Sequence, residues 1–69
     1  MFDKLVGKKL HITLVKGEYK GLILVGWFAL GNNTFIEVEY AIAAPKYEAT
    51  FYINIHYISE IEVMKEMIE

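Results

Sequence analysis

The sequence has no cysteine, one proline and two histidines among its 69 residues. Without cysteine the chain can form neither disulfides nor thiolate metal sites, and His11 and His56 each lack a partner at metal-ligand spacing. A domain of this length buries only about 60% of the surface that its unfolded chain exposes, so the core alone is marginal. Since neither a disulfide nor a metal supplements that core, we expect the protein to gain stability through self-association.

Positive charge is also scarce, and the chain has no arginine. Seven lysines stand against nine acidic residues, so the net charge is −2 and the field of the whole molecule does not attract a polyanion. Six of the seven lysines fall before residue 47, whereas Glu60, Glu62, Glu66 and Glu69 crowd the C-terminal end. Any basic face must therefore be local.

Long apolar runs are missing as well. The longest uncharged segment, residues 21–36, is too short for a membrane-spanning helix and is interrupted by Gly26, Gly31, Asn32 and Asn33. Charged residues stand near the N-terminus, where a signal peptide would need an apolar region. We expect a cytoplasmic protein with no membrane segment. A domain this small cannot bury all of its hydrophobic residues, which make up 55% of the chain. We therefore also expect part of the exposed hydrophobic surface to contact another subunit.

The patterns of a catalytic site are absent too. No nucleophile, base and orienting acid stand at a recognisable spacing, and neither a glycine-rich loop before a helix nor a metal-ligand cluster occurs. Glu37 and Glu39 point to the same side of a predicted strand, which is typical of a solvated face. We therefore expect neither enzyme activity nor a cofactor or metal.

The most distinctive stretch that is present covers residues 21–33. It is an apolar run that is broken only by Gly26, begins and ends with glycine, and continues into Asn32 and Asn33. This run predicts a long, sharply bent strand over residues 19–30, with the bend at Gly26, because a residue without Cβ lets a strand turn a barrel corner. Gly31 and the two asparagines should form the following turn, since asparagine tolerates a left-handed φ.

Alternation of apolar and polar residues predicts the other strands. In the third strand, for example, the pattern places Ile36, Val38, Tyr40 and Ile42 on the inward face. A hairpin turn is expected at residues 16–18 and a proline-containing loop at residues 43–47. We expect the remaining strands at residues 10–15, 34–42, 50–55 and 59–64.

The two ends of the chain carry weaker patterns. Phe2, Leu5 and Val6 have helical spacing and predict one N-terminal helical turn. Near the other end, Ser59 and Glu62 fit a helical capping box, but the same residues also alternate as a strand. We favour the strand, followed by a helical or frayed tail at residues 65–69. The sequence thus predicts one all-β domain over residues 1–69, a small five-stranded, strongly bent barrel.

Three segments of this chain match the motifs of one known family. Residues 5–17 place a Gly-Lys pair before an alternating strand and a Lys-Gly turn. Residues 26–32 read Gly-Trp-Phe-Ala-Leu-Gly-Asn, close to a family motif Gly-Phe-Asp-x-x-Met-Asn, with Phe28 in the place of the aspartate. Residues 56–61 read His-Tyr-Ile-Ser-Glu-Ile, close to a segment Lys-His-Ala-Ile-Ser-x-Ile, with Ile55 in the place of the lysine. The chain therefore resembles the Sm-like family, and the last segment resembles its bacterial Hfq branch.

This resemblance implies both a fold and a function. Sm-like proteins are small SH3-like barrels that form rings of six or seven subunits, in which the fourth strand of one subunit meets the fifth strand of the next. They bind single-stranded RNA around the pore. The implied partners are thus further copies of this chain, as a homo-hexamer or homo-heptamer, and single-stranded RNA. The implied RNA-binding residues are Phe28, Asn32, Asn33, Asn54, His56 and Tyr57.

Four of these positions also have an ordinary structural interpretation. Asn32 suits a turn through its backbone conformation alone. Phe28, like its neighbour Trp27, can serve as a core residue rather than as a ring that stacks on a base. A lone histidine such as His56 is more often a solvent-facing or hydrogen-bonded residue than a ligand-binding one, and Tyr57 can equally be a core ring.

A second functional hypothesis belongs to a different class. The second strand is apolar on both faces, and Phe35 and Tyr52 are expected on the exposed side, which suits a protein interface. On this hypothesis the barrel is a protein-interaction or self-assembly module without a nucleic-acid role. Lys8, Lys9 and Lys16 then serve solubility, whereas in an RNA-binding protein they can contact phosphates.

Overall fold

The computed structural model describes residues 2–41 and 50–65 of the chain. A 3-10 turn, Asp3–Leu5, precedes the first strand, and a second 3-10 turn, Ile55–Tyr57, separates the last two. The predicted all-β class is confirmed, and the segment after Tyr57 is a strand rather than a helix. The strands are β1 (Lys9–Leu14), β2 (Gly17–Leu30), β3 (Asn33–Tyr40), β4 (Phe51–Asn54) and β5 (Ile58–Val63).

Some predictions concern residues that the structure does not describe. The end of the third strand at Ile42, the loop at residues 43–47 and the tail from residue 66 onward lie outside the described residues. Among the described residues, the hairpin turn that was predicted at residues 16–18 begins one position earlier. Leu14 pairs with Gly17, so Val15 and Lys16 form the turn.

The five strands form one antiparallel sheet in the order β4-β3-β2-β1-β5. The sheet curls, because the rings of Tyr19 on β2 and Phe51 on β4 lie 5.5 Å apart, although their strands are two positions apart and would be about 9.5 Å apart in a flat sheet. The curl does not close the sheet. Within the described residues β4 and β5 are both edges, so the closed barrel expected from the long second strand is not formed.

The concave side of this sheet carries the hydrophobic core. Alternating residues of the four strands β1 to β4 point to the same side, so each strand buries every second side chain. Tyr40, which was predicted to face inward, is 49% exposed. It is the last residue of β3 and lies at the rim, with its ring 5.4 Å from that of Phe51. The buried core residues are Leu10, Ile12, Leu22, Leu24, Ile36, Val38 and Ile53.

Two irregularities bend the long strand β2. Leu10 pairs with Leu22 while His11 pairs with Lys20, so Gly21 is an extra residue opposite β1. A second register shift between Leu24 and Gly26 leaves Val25 extra opposite β3. Such bulges bend a strand and increase its twist. One bulge therefore lies at Val25, the residue before the predicted bend at Gly26, and a second bulge lies earlier in the strand, at Gly21.

The residue that needs to be glycine is Gly21 rather than Gly26. Gly21 has a φ of +81°, and a Cβ there would lie 3.5 Å from Cε of Lys9. Gly26 has no such φ, and a Cβ there would meet nothing within 4 Å. Only the first position therefore has a backbone conformation that L side chains rarely adopt.

We therefore predict opposite results for two glycine substitutions. Gly21→Ala should lower the free energy of unfolding by about 1–2 kcal/mol, because an L residue is strained at positive φ. Gly26→Ala should leave it unchanged or raise it by up to about 1 kcal/mol, because alanine restricts the unfolded chain. Urea unfolding followed by circular dichroism measures both values. Equal losses at the two positions would contradict this assignment of the bulge.

The turn between β2 and β3 differs from its prediction in which residue is left-handed. Leu30 pairs with Asn33, so the turn consists of Gly31 and Asn32. Gly31 has a φ of +63°, and among the described residues only glycines have positive φ. A positive φ at the first turn residue alone is the pattern of a type II′ hairpin. The expectation that the asparagines adopt this conformation is thus wrong, since the glycine before them supplies it.

The N-terminal turn is attached to β2 by its backbone and side chains. Val6 forms a parallel bridge with Leu24, and the Trp27 ring packs edge-on against Phe2 at 6.3 Å. Nε1 of Trp27 donates a hydrogen bond of 3.2 Å to Oδ1 of Asp3. This bond is the largest of the causes that lower the pKa of the Asp3 carboxyl below its ordinary value of 3.8. Trp27 is therefore an anchor for the N-terminus at the rim of the core.

This contact makes a pH-dependent signal predictable. The pKa of Asp3 is lowered in the folded state, so its ionised carboxylate stabilises the fold. This stabilisation is complete above the unfolded-state pKa and is lost as the pH falls through the folded-state pKa. Trp27 emission should therefore change in acid, at a pH below 3.8. In the matched variant Asp3→Asn, which keeps an oxygen acceptor without a charge, this transition should be missing. An identical acid titration in both proteins would contradict the assignment.

Candidate nucleic-acid interface

Four of the six predicted RNA-binding residues line one surface concavity. The β2–β3 turn and the start of β3 supply one side, and the end of β4 with the following 3-10 turn supplies the other. The concavity has a volume of about 300 Å³. Its lining residues are Asn32, Asn33, Thr34, Asn54, Ile55 and His56.

The strand register explains why residues so distant in sequence meet here. Phe35 pairs with Asn54 and Ile36 pairs with Ile53. Paired residues lie on the same face of a sheet, so Asn54 shares the face of Phe35, and Asn33, two positions before Phe35, lies on that face too. Nδ2 of Asn54 donates a hydrogen bond of 3.2 Å to Oδ1 of Asn33, 21 positions away. The two loops are therefore joined by a side-chain contact.

Asn54 also fixes the geometry of the second loop. Its Oδ1 accepts a hydrogen bond of 2.9 Å from the backbone N–H of His56 and so caps the 3-10 turn Ile55–Tyr57. Asparagine is well suited to this position because its short side chain can bond the backbone two residues further on. One amide thus connects the end of β4, the β2–β3 turn and the histidine.

The remaining polar groups of the concavity are available to a ligand. Within residues 2–41 and 50–65, the Asn32 amide, Nδ2 of Asn33 and the nitrogens of the His56 ring make no hydrogen bond. Amides and imidazoles both donate and accept hydrogen bonds, and the described lining contains no carboxylate. A surface of hydrogen-bond donors and acceptors matches the edge of an unpaired nucleobase.

Phe28 lies beside this concavity rather than in it. Its ring stacks on Phe35 at 5.3 Å and meets the edge of Tyr52 at 5.3 Å. Phe28 pairs with Phe35, and Phe35 pairs with Asn54, so the three rings share a sheet face with the asparagines. We refer to Phe28, Phe35 and Tyr52 as the aromatic cluster. Phe28 and Trp27 are each 39% exposed, which overturns their interpretation as core residues.

Tyr57 lies on the other side of His56. The two rings meet edge to face at 5.6 Å, and Tyr57 is 58% exposed, so it is not a core ring. Its carbonyl accepts a hydrogen bond of 3.0 Å from Val15 N–H. It shares an apolar depression of about 370 Å³ with the tip of the first hairpin, including Lys16. The fold therefore brings one lysine close to the His56–Tyr57 pair.

The sequence did not indicate Thr34 and Ile55 as members of this site. Thr34 directly follows Asn33 on β3, Ile55 directly follows Asn54 in the 3-10 turn, and both line the concavity. Alternation along a single strand cannot reveal such neighbours, because the lining is set by the register between β3 and β4.

Comparisons with protein-family models, with curated proteins and with solved structures found no match to this chain. In the described ranges no group of histidine and acidic side chains could hold a metal ion. The helical segments there are three-residue turns, and none of them could cross a bilayer. The function must therefore be inferred from the concavity, the aromatic cluster and the free sheet edges.

Proposed function

We propose that the protein is a self-associating, Sm-like β protein that binds single-stranded RNA in the asparagine–histidine concavity. The observation that carries this proposal is the convergence of Asn32, Asn33, Asn54 and His56 from two separate loops. The resemblance to the Sm-like family assigns base contacts to these same positions. The hydrogen bonds around Asn54 hold the loops together before any ligand binds, which reduces the ordering cost of binding.

The available groups divide into base and phosphate contacts. Asn32 and Asn33 present amides to a base edge, and the exposed His56 ring can stack on a base or bond to it. Lys16, next to Tyr57, supplies the nearby positive charge for a phosphate. With a net charge of −2 and few lysines at the site, we expect a shallow salt dependence, because few phosphate counterions are released.

Self-association is supported by the two edges of the sheet. An unpaired edge exposes backbone N–H and C=O groups that can pair with another chain. Pairing of β4 in one copy with β5 in the next is a head-to-tail contact, and such contacts form a ring when the rotation closes. A six- or seven-membered ring is the assembly that the family resemblance implies, and it would pair both edges of every copy.

Two measurements on the full chain test this proposal. Light scattering should give a mass that is six or seven times the 8.0 kDa of one chain. Fluorescence anisotropy with U-rich and A-rich oligonucleotides at low salt should show binding, and a duplex of equal length should bind far more weakly. A monomer would refute the ring, and no binding to either oligonucleotide would refute the RNA site.

The aromatic cluster favours a second candidate, a protein-interaction or self-assembly module without nucleic-acid binding. Tyr52 is 57% exposed and Leu30 is 68% exposed, and Glu37 pairs with Tyr52 on the same face. Aromatic residues are enriched at protein interfaces, and a carboxylate beside them repels phosphate. Binding of single-stranded RNA that is weakened by His56→Ala and by Asn32→Ala would rule this candidate out.

A further inference from the structure

We propose that the protein has a second ligand site, which binds a nucleoside monophosphate group at the opposite end of β2 and β3. A concavity of about 290 Å³ lies there, and none of the predicted RNA-binding residues lines it. β3 runs from Asn33 at the first site to Tyr40 at this one, which separates them by roughly 20 Å of strand. The described lining residues are Lys9, Lys20, Gly21, Tyr40, Ala41 and Met64.

The bulge at Gly21 forms the centre of this site. Its carbonyl accepts a hydrogen bond of 2.9 Å from Ala41 N–H, and the carbonyl of Lys9 accepts one of 2.8 Å from Met64 N–H. These bonds hold β1, the end of β3 and the end of β5 around the bulge. The stem of Lys9 runs across Gly21, with Cε 3.5 Å from the position that a Cβ would take, which is an ordinary contact distance.

The charge of the site favours an anion. Lys9 and Lys20 both line it, and the described lining contains no carboxylate. Nζ of Lys20 lies 3.9 Å from Oε1 of Glu18, and both side chains are largely exposed. An exposed pair at this distance is weak, so an incoming phosphate can displace it. In a chain of net charge −2, this is a local basic patch.

The rest of the lining is apolar and favours a ring attached to the anion. The Tyr40 ring packs against Phe51 but remains half exposed, so part of it is open to the concavity. Ala41, Met64 and the lysine stems add further apolar surface. Inorganic phosphate would leave this surface uncovered, whereas a nucleobase on Tyr40 would cover it and gain stacking energy. A volume near the lower end of small-molecule sites suits one nucleotide.

The nucleoside monophosphate group that this site would bind can come from two sources, a free nucleotide or one nucleotide of an RNA chain. The proposed site does not depend on RNA binding at the asparagine–histidine concavity, and the two proposals fail in different experiments. A His56→Ala variant should lose RNA binding at the concavity and retain the binding of adenosine monophosphate. Competition by an A-rich oligonucleotide for that nucleotide in the same variant identifies RNA as the source, and its absence identifies the free nucleotide.

Isothermal titration of the full chain with adenosine monophosphate, adenosine and inorganic phosphate tests the site. Adenosine monophosphate should bind at least about tenfold more tightly than either fragment, since each fragment lacks one set of contacts. Lys9→Gln and Lys20→Gln keep most of the stem and should each weaken binding about tenfold, and Tyr40→Leu should have a similar effect. Lys4→Gln, which changes an exposed lysine in the N-terminal 3-10 turn, is the matched control and should bind like the parent chain.

Three results would overturn the proposal. The first is no binding of adenosine monophosphate to the parent chain, the second is binding to the lysine variants as tight as to the parent, and the third is equally tight binding of phosphate. Circular dichroism of each variant shows that it is folded. If Tyr40→Leu does not fold, the two lysine variants decide the question alone, because their side chains are exposed and their loss leaves the core intact.

Discussion

Leu22→Ala is expected to lower the free energy of unfolding by about 2–5 kcal/mol, the largest effect of any single substitution considered for this protein. Leu22 is fully buried in the middle of β2, where truncation removes apolar contacts and leaves a cavity. Small domains have little stability in reserve. Most of the variant should therefore be unfolded at room temperature or unfold at low urea concentration.

Leu30→Ala is the matched control for this prediction. The substitution is chemically identical and lies on the same strand, but Leu30 is 68% exposed at the start of the turn. Its effect should stay within about 0.5 kcal/mol. Urea unfolding, followed by circular dichroism and by Trp27 emission, measures both variants. Similar losses at the two leucines would mean that the far end of β2 is buried in an assembly, which light scattering would then detect.

Asn54→Ala is expected to weaken binding of single-stranded RNA by about 10–100-fold. The change removes the bond to Asn33 and the bond to the His56 backbone, and each such bond contributes about 1 kcal/mol. The 3-10 turn also loses its cap, so the backbone of His56 is no longer held in place at the concavity. Fluorescence anisotropy at fixed low salt measures the affinity.

Asn32→Ala provides the comparison. It removes one amide from the lining but leaves the bonds between Asn33, Asn54 and His56 in place, so we expect a loss of about tenfold or less. The mass of the assembly by light scattering should stay the same in both variants. Undiminished RNA binding by Asn54→Ala would contradict the placement of the site at this concavity.

The core residues could be predicted because their signal lies within single strands. Leu10, Ile12, Ile36 and Val38 occupy alternate positions, and a strand places alternate side chains on the same face. The position of the bend could not be predicted in this way. A bulge is a mismatch between two strands, and nothing in the sequence of β2 alone distinguishes Gly21 from Gly26. Tyr40 continues the alternation, so the pattern predicts that it is buried. It lies at the rim instead, and alternation does not show where a strand leaves the core.

The candidate site was predictable only through the family resemblance. Spacing gives no reason for Asn33 and Asn54 to meet, and the contact depends on the register of β3 with β4. The resemblance places Phe28 among the RNA-binding residues, but Phe28 lies in the aromatic cluster, because its cross-strand partner is Phe35. Lys9 and Tyr40 were not recognised as neighbours at all. A glycine bulge brings them together, and bulges leave little trace in a single sequence.

The order of strands in the sheet has a consequence for how the chain acquires its structure during synthesis. β1 to β4 pair with their neighbours in sequence, so these pairs can form as each strand leaves the ribosome. The outer edge of β1 is different, since its partner β5 is made after the other four described strands. Until Val63 has emerged, that edge remains open to other nascent chains. The interval between the synthesis of β1 and that of β5 is therefore when copies of this protein are most exposed to incorrect pairing.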